Sequence, residues 1–180
     1  QKFIPKYVDS LGFTCDSLNQ ARRNANSGNS IPESITNSIA KNRRHYLLNT
    51  VELLIHVITR STRLKSIKLS NLELQIEQIR RIAEAISKSV SLDTVIFNRL
   101  SIGDQGLKML LSILDPNQIH SLSLLNCGLT QHSTSTLINF AKSRTSGGGG
   151  ISKIDLSVQE IPQNDIAKIQ QALKTSIRSS

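Results

Sequence analysis

The 180-residue sequence predicts an α/β fold in which parallel strands line the concave side of a curved solenoid and helices line its convex side. Three observations predict it. Four strand-like segments carry apolar residues at their first, fourth, sixth and eleventh places: "LKSIKLSNLEL" from Leu64, "LDTVIFNRLSI" from Leu92, "IHSLSLLNCGL" from Ile119 and "ISKIDLSVQEI" from Ile151. Their starts lie 28, 27 and 32 residues apart. Each is followed by a stretch with helical apolar spacing: "IEQIRRIAEAISKSV", "DQGLKMLLSIL", "HSTSTLINFAKS" and "NDIAKIQQALKTSI". Neither half of a unit can bury its apolar side alone, so each must be closed by the units on either side.

In chain order, residues 1–45 are expected to form an N-terminal cap and a partial first repeat. The cap itself, residues 1–30, shields the open end of the stack. A short helix is expected within "CDSLNQARRNANSG", a loop at "SGNSIPES", and a candidate strand at "ESITNSI" (33–39). Residues 46–180 hold the repeats. The first helix is "YLLNTVELLIHVITR", with Leu47, Val51, Leu54, Ile55 and Ile58 on one face. In the next, Ile76, Ile79, Ile82, Ala83 and Ile86 are expected to face inward. "SRTSGGGGIS" is a flexible linker, Gly-rich at 146–150, that accounts for the longer last spacing. Gly147–Gly150 are either a natural turn or the replacement of a longer loop.

A strand plus a helix at this fixed period is the sequence signature of a leucine-rich repeat. The period near 28 and the "IGDQGL" turn resemble the ribonuclease-inhibitor-like subclass over residues 46–177. The ninth place of such units usually holds Asn or Cys, whose side chain bonds the backbone of the turn. Here it holds Leu72, Leu100, Cys127 and Gln159, and only Cys127 fits well. Cys127 is therefore read as a buried turn residue. The segment "SVSLDTVIFNRLSIGDQGL", with an interruption after the helix ending near Lys142, also resembles the N-terminal leucine-rich-repeat region of a family of centrosomal scaffold proteins. That resemblance implies a binding scaffold at centrioles or ciliary basal bodies, with a charged loop where the glycines sit here.

The composition bounds the function. The net charge is +9, and residues 1–90 hold 14 Lys/Arg against 7 Asp/Glu. Such a basic half suits an acidic protein surface, a nucleic acid or an anionic membrane. Aromatic residues make up 3% of the chain, which weakens any reading based on base stacking. No run of some twenty apolar residues is present, so no membrane span is expected. The start, "QKFIPKYVDSLGF", lacks an initiating Met and a signal-peptide pattern, and reads as a fragment of a longer chain. Cys15 and Cys127 suit a reducing, cytoplasmic setting better than a disulfide scaffold.

Catalytic motifs are absent: no phosphate loop, nucleophile elbow or HExxH zinc motif. His45, His56, His120 and His132 share no ligand spacing, so neither a metal nor another cofactor is expected. Gln78 with Arg81, and Glu84 with Lys88, are expected as helix-surface pairs, and Glu77 as a helix-start acid. The chemistry left is binding. The strand places facing out of the core are Ser66, Lys68 and Ser70; Thr94, Ile96 and Asn98; Ser121, Ser123 and Leu125; and Lys153, Asp155 and Ser157. Lys68, Thr94, Ile96, Asn98, Ser123, Leu125 and Asp155 are the concave-face binding candidates. Ile96 and Leu125 are expected to be exposed apolar residues in neighbouring units and so a hot-spot centre. Lys41, Arg43, Arg44, Arg60, Arg63 and Lys65 form a candidate basic patch. The expected partner is a protein with an acidic surface. The subclass resemblance also implies an alternative, a GTPase activator of the Ran-pathway type using Arg99 and Asp104 from the turns. Nucleic-acid binding through the basic half is a third reading, disfavoured because the concave face lacks a long basic track.

Overall fold

The computed structural model describes residues 10–14, 48, 50–143 and 150–178, with side chains for 48, 50–143 and 150–175. Residues 1–9, 15–47, 49, 144–149 and 179–180 lie outside them, and with them the expected strand at 33–39, Lys41, Arg43, Arg44 and most of the glycine run. Five strands, β1 (Ser10–Thr14), β2 (Ser66–Ser70), β3 (Thr94–Asn98), β4 (Ser121–Leu125) and β5 (Lys153–Asp155), form one sheet in sequence order. Every adjacent pair is parallel. The helices are α1 (50–60), α2 (Ile76–Ser87), α3 (Gly103–Ile113), α4 (Thr134–Lys142) and α5 (Gln163–Arg178). A 3-10 turn, Gln131–Ser133, leads into α4. Among the described residues, no helix is long and apolar enough to cross a membrane.

The strand beside β2 is Ser10–Thr14, where the sequence analysis had placed a cap and had looked for a strand at 33–39. The weak signal is understandable. "SLGFT" alternates for only two apolar residues, Leu11 and Phe13, and a glycine separates them. Those two fall in register with Ile67 and Leu69 of β2.

The apolar places of the four segments converge on one core. Leu64, Ile67 and Leu69 are buried, as are Leu92, Val95, Phe97 and Ile102, Ile119, Leu122, Leu124 and Leu129, and Ile151, Ile154, Leu156 and Ile161. Leu74 is only partly buried. The helices add Val51, Leu54 and Ile58 from α1, then Ile79, Ile82, Ala83 and Ile86 from α2. Ile76 departs from its expected place and is exposed. It is the first residue of α2, ahead of the turn that reaches the sheet.

Two backbone patterns recur from strand to strand. The Lys65 carbonyl accepts from the N–H groups of Asp93 (3.1 Å) and Thr94 (3.0 Å). The Asp93 carbonyl accepts likewise from His120 and Ser121, and the His120 carbonyl from Ser152 and Lys153. At the other end of the strands, the N–H groups of Asn71, Arg99 and Asn126 donate to Asn98, Leu125 and Ser157 respectively. Asn71, Arg99, Asn126 and Val158, the eighth residue of each segment, all have φ between 51° and 59°. That left-handed turn lets the chain leave the sheet toward the helix layer, and Asn tolerates it better than most residues.

Candidate functional site

The open face of the sheet gathers the predicted binding residues into three rows. The first is Ser66, Thr94, Ser121 and Lys153; the second is Lys68, Ile96, Ser123 and Asp155. The third is Ser70, Asn98 and Leu125. Neighbours within a row lie about 4.8 Å apart, the spacing of paired strands. Lys68 and Lys153 are exposed, while Ser66, Thr94, Asn98, Ser121 and Asp155 are half-buried.

The geometry corrects the sequence reading in two places. Ile96 and Leu125 are half-buried, not exposed. They are also not opposite each other: Ile96 faces Ser123 and Leu125 faces Asn98, so the two meet diagonally. Ser70 and Ser123, expected to face solvent, are buried. Their side chains are too short to clear the longer residues beside them.

Several polar side chains away from this face bond the backbone. The Ser91 hydroxyl donates to the carbonyls of Ser61 (3.2 Å) and Leu64 (3.0 Å). The Gln118 amide donates to the carbonyls of Ile86 (2.9 Å) and Ser89 (2.7 Å). The Gln170 amide donates to the Ile154 carbonyl at 2.9 Å. On the open face, by contrast, Ser66, Lys68, Asn98, Ser121, Ser123 and Lys153 hold no side-chain hydrogen-bond partner among the described residues. Thr94 bonds only its neighbour Asp93, and Asp155 only Ser157. The Ser70 hydroxyl is buried without a partner.

The turns at the strand ends are structural. Gln159 accepts from the N–H groups of Cys127 (3.2 Å) and Leu129 (3.0 Å) and donates to the Leu124 carbonyl (2.6 Å). It thus does the work that the sequence analysis had denied it at the ninth place. Cys127 is buried, its thiol donates to the carbonyls of Phe97 and Leu125, and burial pushes its pKa up to about 11. Asp104 accepts from the Thr130 N–H (2.9 Å), the Thr130 hydroxyl (2.7 Å) and the Ser133 hydroxyl. Burial opposes its charge, but those bonds outweigh burial and hold the carboxyl below its ordinary value. Arg99, its companion in the GTPase-activator reading, is exposed.

The expected helix pairs exchange partners. Arg80 bridges Glu77 and Glu84, Arg81 reaches across to Glu52 on α1, and Gln78 caps α2 by accepting from the Gln75 N–H. His56 is exposed, and His120 lies 3.0 Å from the Ser152 hydroxyl. Among the described residues, no group of His, Cys, Asp and Glu could hold a metal ion. Of the candidate basic patch, Arg60, Arg63 and Lys65 are exposed on the segment joining α1 to β2. No protein-family model matches the chain, and no curated protein matches it.

Proposed function

We propose that the chain is a leucine-rich-repeat solenoid of the ribonuclease-inhibitor-like type, acting as a non-catalytic protein-interaction module. Support for the solenoid comes from the hydrogen bonds that recur at each strand and from the shared left-handed residue that ends each segment. One observation carries the interaction reading. The open sheet face holds unspent hydrogen-bonding side chains around a half-buried apolar pair, Ile96 and Leu125. Strand pairing fixes these groups in place, so a partner meets them at little cost in ordering entropy. A scaffold role at the centrosome or basal body belongs to the same proposal through the sequence resemblance.

The test is a partner isolated on this domain, purified, and titrated against wild type and the Ile96→Asp/Leu125→Asp variant. Binding weakened at least about ten-fold supports the face as the site, since burying an unpaired carboxylate in an apolar contact is costly. Equal affinity overturns it. The GTPase-activator reading rests on Arg99 and Asp104, and the Asp104 carboxylate already accepts three hydrogen bonds. Acceleration of GTP hydrolysis at catalytic concentrations of this chain would replace the proposal.

A further inference from the structure

We propose that the edge of the molecule at the amino-terminal ends of β2 and β3 is a second docking surface, fitted to an acidic protein segment with an apolar residue among its carboxylates. Four cations lie exposed there: Arg60 at the end of α1, Arg63 and Lys65 before β2, and Lys88 before β3. Val90, between Lys88 and β3, is 85% exposed. The loops are joined. The Ser91 hydroxyl bonds the carbonyls of Ser61 and Leu64, and the Asp93 N–H bonds the Lys65 carbonyl. The cations and Val90 therefore present one continuous edge.

Three cations elsewhere are paired on helix surfaces. Arg80, Arg81 and Lys168 are taken by Glu77, Glu84, Glu52 and Asp165. Arg60, Lys65 and Lys88 meet no carboxylate among the described residues. The one acid beside Lys65 on this edge is Asp93, which accepts from the Thr94 hydroxyl at 2.8 Å. The opposite edge, where strands end and helices begin, carries Glu73, Glu77, Asp104, Glu160 and Asp165 beside the cation Arg99. Helix dipoles account for part of this polarity, because Arg60 ends α1 and Lys88 follows α2. They do not account for Arg63, Lys65 or the bare Val90.

The mixture selects the partner. Single-stranded nucleic acid would call for exposed rings, and the two aromatic residues whose side chains are described, Phe97 and Phe140, are buried. A membrane surface would call for several apolar residues on the edge, and among the described residues Val90 stands alone there. A protein segment supplies carboxylates for the cations and an apolar side chain for Val90. This surface is independent of the open sheet face.

The test uses a fluorescent peptide of alternating Glu and Asp around a central Leu, with fluorescence anisotropy as readout. We expect binding that weakens with added salt. Lys65→Glu/Lys88→Glu should weaken it about ten-fold, since two attractive contacts become repulsive. Lys108→Glu/Lys174→Glu, on α3 and α5, and Ile96→Asp/Leu125→Asp should leave it within about two-fold. Replacing the peptide's Leu by Ser, or Val90 by Ser, should each weaken it measurably. No salt-sensitive binding, an equal loss in the α3/α5 variant, no effect of either Ser replacement, or tighter binding to random RNA or to phosphatidylserine vesicles would overturn the inference.

Discussion

Val158 holds φ at 59° with 77% of its surface exposed, in the backbone position that Asn71 and Asn126 fill elsewhere. A β-branched residue is strained there and gains no burial in return. Val158→Asn should therefore raise stability by about 1 kcal/mol, read as a higher midpoint in urea. Gln159 makes the opposite case. Gln159→Leu strands two N–H groups and a carbonyl, and should cost about 3 kcal/mol in the same titration. The sequence pattern named Asn or Cys for this place and so passed over Gln159, although its amide also carries both a donor and an acceptor. Asp104 sets a pH dependence. Its folded pKa lies below the ordinary value of 3.8, so its contribution is complete above that value and is lost as pH falls below it. Asp104→Asn should flatten the acid limb of the stability curve in that window, as followed by circular dichroism.

At the scale of elements, the apolar spacing located β2 to β5 and the four helices after them to within a few residues, because each strand alternates and each helix repeats near 3.6. Where the pattern failed, the physics was local. Ile76 matched the helical spacing but sits ahead of the contact, and β1 was too short and too broken by Gly12 to stand out. The contributions of Ser91 and Gln118 were equally illegible, since a lone polar residue before a strand does not announce which carbonyls it will meet. Pairing also grades the strands. β2 and β3 are bonded along five residues on both sides, while β5 pairs along three residues on one. Amide hydrogen exchange should accordingly be slowest in β2 and β3 and fastest in β5, and equal protection would contradict the ladder described here.

For the whole molecule, the basic excess of +9 was legible in composition, and the sequence grouped Arg60, Arg63 and Lys65. That Lys88 and Val90 share their edge was not legible, because it depends on which loops the sheet brings side by side. The open sheet face was legible by period alone, whereas the burial of Ser70 and Ser123 depended on the neighbours that the register supplied. The order of the sheet has a mechanical consequence. Each strand is held by the one before and the one after, and successive strands start 27 to 32 residues apart. Tension applied to the ends would therefore peel the molecule like a row of stitches, beginning at the short rung β5. Each release would lengthen the tether by roughly 100 Å, the reach of that many extended residues.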